Sequence, residues 1–141
     1  MQTCQRKKSI RDWITDACTS SSAPNYTRSN GGKEDIFLHE HPQGASSWQE
    51  RCIERLMRKN GVQRVVGDQC MYGLKSWDGE KWGPARKSTG FMTNSPCIVA
   101  ALKDRCPNTK YNVVHEHVRL ASGRARAAQI YPPELCQAIC D

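Results

Sequence analysis

The chain has 141 residues, of which 38% are apolar and 25% charged, and its formal net charge is +7. This length is enough for one domain with a hydrophobic core and too short for two. No stretch approaches the length of a membrane span and no apolar segment follows the basic start, so we expect an intracellular protein without membrane contact. The eight cysteines are then expected to be thiols or metal ligands. The positive charge favours an anionic partner, most commonly DNA or RNA.

The first 34 residues are expected to stand apart from the rest of the chain. Apolar residues recur at helical spacing between Ser9 and Cys18, which predicts an amphipathic helix within the segment 1–18. Residues 19–34 are rich in Ser and Gly and contain few apolar side chains, so they are predicted to form a linker. The folded part is therefore expected to span 35–141.

Order is predicted to resume at Asp35–His39, where an apolar run passes into His39-Glu40-His41-Pro42. This pattern predicts a buried strand that ends at a site. A doubled capping-box signal then begins a predicted helix over 46–60, and a valine-rich strand follows over 62–67. Strand, helix and strand in this order predict a right-handed parallel crossover.

The second half of the domain is predicted to contain a hairpin and two more helices. Asp78-Gly79 between aromatic flanks predicts a β-hairpin over 71–93. Helices are predicted over 96–105 and 132–140, with a loop over 108–122 between them. The fold class is therefore expected to be α/β, as an incomplete Rossmann-like sandwich with a short mixed sheet, a β-hairpin and flanking helices.

Five ordered blocks between Phe37 and Cys140 resemble a domain found in eukaryotic retrotransposon polyproteins. The blocks are Phe-Leu-His-Glu-His-Pro (37–42), Ala-Ser-Ser-Trp (45–48), Gly-Asp-Gln-Cys-Met-Tyr-Gly-Leu (67–74), Ala-Arg-Lys-Ser-Thr-Gly-Phe-Met-Thr-Asn-Ser (85–95) and Tyr-Pro-Pro-Glu-Leu-Cys-Gln-Ala-Ile (131–139). That domain is in turn distantly similar to cytosine-specific DNA methyltransferases. The resemblance implies that 35–141 is the C-terminal half of a methyltransferase-like domain.

The resemblance also implies roles for individual residues. In the methyltransferases a glutamate at a strand end hydrogen-bonds the target cytosine, and Glu40 stands in the similar place. The glycine-rich loop that holds S-adenosylmethionine does not precede Glu40 here, and the pair Pro96-Cys97 follows Glu40, whereas the nucleophilic Pro-Cys block of the family precedes it. We interpret Pro96-Cys97 as a helix start with a packed thiol. The chain is therefore expected to be a non-catalytic or remnant domain without a cofactor, with Glu40 in a vestigial base-contacting role and weak nucleic-acid affinity.

A different hypothesis is a small zinc-stabilised module that binds nucleic acid or protein. Cys106, His115 and His117 have residue types that suit tetrahedral zinc, with Cys70 or Cys97 as a fourth ligand. No CxxC pair supports this assignment. A metal would help a half-domain with an incomplete sheet to stay folded.

The two His-Glu-His triplets also suggest a metal-dependent nuclease or hydrolase. Alternate residues of a strand point to the same face, so His39 and His41 could share a metal while Glu40 points away. No helical His-Glu-x-x-His motif and no acidic cluster supports such a site.

A compact basic loop after the second His-Glu-His triplet could hold a phosphate backbone. The pair Arg86-Lys87 resembles the arginine-rich strand that supports the active site in the methyltransferases. The predicted nucleic-acid-binding residues are Arg86, Lys87, Arg119, Arg124 and Arg126. The alternative is that the last three of these arginines lie in a solvated connection and pair with helix ends or carboxylates. Because an incomplete sheet exposes an edge and an apolar face, self-association or a partner chain is also expected.

Overall fold

The computed structural model describes residues 36–121 and 123–140, so the predicted N-terminal helix and linker lie outside the described residues. The strands in these ranges are β1 Leu38–Pro42, β2 Gln63–Asp68, β3 Lys75–Trp77, β4 Trp82–Pro84 and β5 Ser88–Thr93. The α-helices are α1 Arg51–Met57, α2 Pro96–Ala101, α3 Arg124–Ala127 and α4 Pro133–Cys140. The predicted α/β class is confirmed. None of these helices is long and apolar enough to cross a membrane.

The main sheet has three strands in the order β1-β5-β2. Both outer strands run antiparallel to β5, so β1 and β2 point in the same direction but do not pair. The two strands of the predicted crossover are therefore parallel, with β5 between them, but the expected mixed sheet is wrong, since every pairing among the described strands is antiparallel. The physical reason lies in β5, whose residues 89–93 are all buried, because a central strand is covered on both faces.

Helices cover both faces of this sheet, and side chains of β5 alternate between the two cores. On one face Met92 packs with Phe37, Trp48, Ile53 and Leu56. On the other face Phe91 packs with Tyr72, Leu102 and Leu135. The strands β1 and β2 form the two edges of the sheet. The expected self-association through such an edge stays a prediction.

The predicted hairpin is present but shorter than expected. Asp78 Oδ1 accepts hydrogen bonds of 2.8 Å from the backbone N–H groups of Glu80 and Lys81, which closes the turn. Strands β3 and β4 pair across this turn in a separate two-stranded sheet. The expected return strand, 86–93, is not part of the hairpin, because its residues form the buried centre of the main sheet instead.

The predicted helix over 46–60 is divided into a 3-10 turn, Ser46–Gln49, and the helix α1. The two N-cap residues, Ala45 and Glu50, make no side-chain cap hydrogen bond, so the expected capping boxes do not form. The side chain of Trp48 explains the break. Its indole nitrogen donates to the Pro42 carbonyl at 2.8 Å, which fixes the 3-10 turn against the end of β1.

The helices α2 and α4 begin within one residue of their predicted starts, whereas α3 lies where the sequence predicts a loop. Ser95 Oγ accepts from the Ile98 backbone nitrogen at the start of α2, with a proline in the first turn, although α2 ends at Ala101 and not at residue 105. The segment 103–121 contains no helix or strand, as expected for most of 108–122. Cys97 is exposed, so the expected packed thiol at the start of this helix is wrong.

Gly90 provides a test of the packing around the central strand. It lies on β5 beneath Trp48, where an added Cβ would come within 2.6 Å of the indole ring. Gly90→Ala is therefore expected to lower the free energy of unfolding by about 1–3 kcal/mol, measured by urea denaturation followed by circular dichroism. Gly44→Ala is the matched control, because nothing lies within 4 Å of its Cβ position. Equal stability of the two variants would contradict this packing of Trp48 on β5.

Candidate metal centre

Four side chains with metal-ligating atoms converge beside the end of β2. They are Cys70, Cys106, His115 and His117, and their ligand atoms all lie within 4.8 Å of one another. Within 36–121 and 123–140 no other such group of three or more His, Cys, Asp or Glu residues is found. The structure thus brings together the three ligands that the sequence predicts. Of the two candidates for the fourth position it places Cys70 in the cluster, while Cys97 is exposed at the start of α2.

The distances within the cluster are short enough for a shared ion. Cys106 Sγ lies 3.6 Å from His115 Nε2 and 3.5 Å from His117 Nε2, and the two Nε2 atoms are 2.9 Å apart. Both imidazoles therefore turn the same nitrogen, Nε2, towards the sulfur. The four side chains could hold a metal ion.

The two cysteines are positioned by the end of β2. Cys70 lies in a 3-10 turn, Gln69–Tyr72, that follows the strand directly. Asp68, the last residue of β2, accepts a 2.9 Å hydrogen bond from the Cys106 backbone N–H through Oδ2, and its own N–H donates to the Asp104 carbonyl at 2.9 Å. The segment after α2 is thereby held along the strand, with Cys106 facing the turn that carries Cys70.

Asn108 folds the loop that returns the histidines to Cys106. Its Oδ1 accepts from the backbone N–H groups of Val114 and His115 at 2.9 and 3.3 Å, and its Nδ2 donates to the His115 carbonyl at 2.6 Å. Sequence reasoning missed this residue. An asparagine shortly after Cys-Pro is nevertheless a recognisable signal, because asparagine side chains close turns by bonding to nearby backbone groups.

The Asp68 carboxylate is buried beside the cluster and is fully engaged. Ser88 donates its hydroxyl to Oδ1, and the Nε atoms of Arg86 and Arg105 lie 3.5 and 3.1 Å from the two oxygens. Burial alone would raise the pKa of Asp68. The hydrogen bonds from Ser88 and Cys106 and the two guanidinium groups outweigh burial, so the pKa lies below its ordinary value and the group is a carboxylate at neutral pH.

The ionisation of the ligands makes metal binding dependent on pH. Burial, followed by the hydrogen bond with Cys106, raises the pKa of the Cys70 thiol to about 12. Burial and the neighbouring His115 lower the pKa of His117, which favours the neutral imidazole that binds metals. A metal ion therefore has to displace a proton from the Cys70 thiol but not from His117, and its affinity should rise with pH.

Glu40, the predicted base-contacting residue, lies on the opposite face of β1 from the two flanking histidines. Tyr131 donates its hydroxyl to Glu40 Oε2 at 2.7 Å, and Lys87 Nζ lies 3.9 Å from Oε1. Burial and then the hydrogen bond to Glu40 raise the pKa of Tyr131. The glutamate is thus linked to the loop before α4. Its role towards a base stays a prediction.

The rings of His39 and His41 lie on one face, as expected, with centroids 4.7 Å apart. His39 is buried against Trp48, and His41 Nδ1 lies 3.0 Å from Ser47 Oγ. Burial and the adjacent His41 lower the pKa of His39. In the described part of the chain no third ligand joins the pair, so the hypothesis of a hydrolytic metal site on β1 gains no support.

The predicted nucleic-acid-binding residues do not form one surface. Arg86 adjoins the metal cluster, and Arg119 and Arg124 line a cleft beside His115 and His117. Lys87 is half-buried and donates to the Ala128 carbonyl at 3.3 Å. Arg126 is exposed on α3. Contact of these residues with nucleic acid stays a prediction.

A cysteine substitution tests whether the cluster is a metal centre or a chance group of polar side chains. Cys106→Ser is expected to abolish stoichiometric metal and, in excess metal, to lose about 3 kcal/mol of metal-linked stability. Metal per chain is measured by elemental analysis and stability by urea denaturation. Cys97→Ser, which changes an exposed thiol outside the cluster, should retain both. Equal metal content in the two variants would contradict the assignment.

Comparison with protein-family models, with curated proteins and with solved structures finds no match to this chain. The likeness of its five sequence blocks to a retrotransposon-associated domain therefore stays a prediction. The functional conclusion has to come from the cluster at the end of β2 and from the surface around it.

Proposed function

We propose that this chain contains a small zinc-stabilised module that binds nucleic acid. The observation that carries the proposal is the group Cys70, Cys106, His115 and His117, whose ligand atoms lie within 4.8 Å of one another. Two thiols and two imidazoles form a ligand set typical of tetrahedral zinc, whereas hard cations such as magnesium and calcium prefer oxygen.

The distances among Cys106, His115 and His117 are close to those of a zinc centre. Bonds of about 2.3 Å to sulfur and about 2.1 Å to nitrogen put sulfur and nitrogen about 3.6 Å apart at the corners of a tetrahedron. Cys106 Sγ lies 3.6 and 3.5 Å from the two Nε2 atoms. The Nε2 atoms themselves, 2.9 Å apart, need to separate by about 0.5 Å to reach tetrahedral spacing. Small rotations of the two rings supply that change.

A structural role for the ion suits this donor set better than a catalytic one. Catalytic zinc sites use three protein ligands and keep a position open for water or substrate, whereas all four positions here are filled by side chains. The ion would join the turn after β2 to the segment 103–121, which contains no helix or strand. Its binding energy would therefore act as folding energy for the least regular described part of the chain.

Nucleic acid is the partner that the charge favours. The chain carries a net charge of +7, and Arg86 and Lys110 line a cleft next to His115 and His117. Arg119 lines a second cleft beside the same histidines. Because these cations lie on or next to the segment that the metal would fix, metal binding and phosphate binding should be coupled.

The coupling is tested with the full chain and a fluorescent oligonucleotide. Purified protein is expected to contain one equivalent of zinc, and chelation should weaken oligonucleotide binding in fluorescence anisotropy until zinc is restored. With three phosphate contacts, affinity should fall about 20-fold between about 50 and 200 mM salt. Absence of zinc, or equal binding before and after chelation, would refute the metal-dependent function. A flat salt response would refute phosphate contact.

A second proposal is a non-catalytic remnant of a retroelement-encoded, Rossmann-like methyltransferase domain. The observation in its favour is Glu40, whose buried Oε1 atom accepts no hydrogen bond and has only the ion-pair contact with Lys87 at 3.9 Å. Glu40→Gln should then weaken binding of cytosine-containing strands relative to strands without cytosine, measured by competition in anisotropy. Glu54→Gln, an exposed change on α1, is the control. The zinc module alone predicts that neither substitution changes base preference.

A further inference from the structure

We infer that a single strand of DNA or RNA binds across the segment 115–117, with one base stacked on Trp82 and its phosphates on the surrounding cations. The inference rests on the proposed function, because the metal centre would hold that segment in place.

The shape is a pair of clefts that share His115, Glu116 and His117 as a common wall. One cleft, of about 630 Å³, continues towards Arg86 and the loop that contains Lys110. The other, of about 510 Å³, continues towards the hairpin and α3. The two clefts together form an open furrow with the second His-Glu-His triplet at its centre.

Cations outnumber free carboxylates along this furrow. Its basic residues are Arg86, Lys110, Lys81, Arg119 and Arg124. The acidic residues that line it are Asp78 and Glu116. The Asp78 carboxylate accepts backbone hydrogen bonds in the hairpin turn, and Glu116 lies 3.8 Å from Lys81. With Lys81 paired to Glu116 and Arg86 to Asp68, the charges of Lys110, Arg119 and Arg124 still exceed that of Asp78, and this positive charge is complementary to a phosphate backbone.

The aromatic surface is provided by the hairpin. Trp82 lines the second cleft and is 66% exposed, and Trp77 supports it from the paired strand with ring centroids 5.9 Å apart. Tyr111, in the loop on the other side of the furrow, is 90% exposed. The exposed indole of Trp82 shares its cleft with Arg119 and Arg124 and has a flat face on which a base can stack.

These features favour a single strand over a duplex. In a duplex the faces of the bases are covered by their neighbours, so Trp82 would find no partner for stacking and only the charges would act. In a single strand each unstacked base offers a face, and alternating aromatic and cationic contacts are typical of proteins that bind single strands without strong sequence preference.

The test compares Trp82 variants of the full, zinc-loaded chain by anisotropy with a labelled single strand and with a duplex of equal length. Trp82→Ala should weaken single-strand binding by about fivefold or more, and Trp82→Phe should restore most of it, because a ring face remains. Ile130→Ala is the matched control, since Ile130 is 77% exposed and lines neither cleft. Zinc content and circular dichroism establish that each variant is folded.

A charge variant tests the phosphate contact separately. Arg119→Gln should weaken single-strand binding and flatten its salt dependence, whereas Arg58→Gln, at the end of α1 and outside both clefts, should do neither. The inference is overturned if Trp82→Ala binds like the wild type, if duplex is preferred, or if polyglutamate of equal charge displaces the strand as well as a second strand does. A chain that binds duplex in a zinc-dependent way retains the proposed function and loses only this inference.

Discussion

A single buried carboxylate, Asp68, connects the sheet, the metal cluster and the basic surface. A buried carboxylate lowers the stability of the fold unless its oxygens contact hydrogen-bond donors or cations. The partners of Asp68 are the Ser88 hydroxyl on the central strand, the backbone N–H of Cys106, and the guanidinium groups of Arg86 and Arg105. Two distant segments, 86–88 and 105–106, thus meet at the side chain that ends β2, and the second of them carries a metal-ligating thiol.

Local features of the fold were predictable from the sequence, and pairings between distant segments were not. Ser95 caps α2 and Asp78 closes the hairpin because both depend on residues within three positions along the chain. The position of β5 between β1 and β2 depends instead on which strand can be covered on both faces. A strand-like segment that follows a hairpin signal does not contain that information, so the sequence predicts a return strand of the hairpin there.

The same distinction applies to the candidate site. Residue type alone identified Cys106, His115 and His117, since cysteine and histidine close together in an otherwise polar loop have few structural roles. The sequence could not decide between Cys70 and Cys97 as the fourth ligand. That decision depends on the hydrogen bond between Asp68 and Cys106, which holds the segment after α2 against β2. The position of Trp82 in the furrow could not be predicted either, because the sequence shows this residue only as the flank of a turn.

The segment 103–121 shows why a metal is physically reasonable in this fold. It contributes Cys106 and Val118 to the buried residues but has no helix or strand to satisfy its backbone, and it is tied down by side chains such as Asn108 and by the hydrogen bond from Val118 to Pro84. Such a segment loses much conformational entropy on folding and gains little apolar burial in return. Coordination of three of its side chains would offset that cost at one point. The irregular backbone between the ligands is then free to expose cations and an open furrow, which a regular helix at this position would cover.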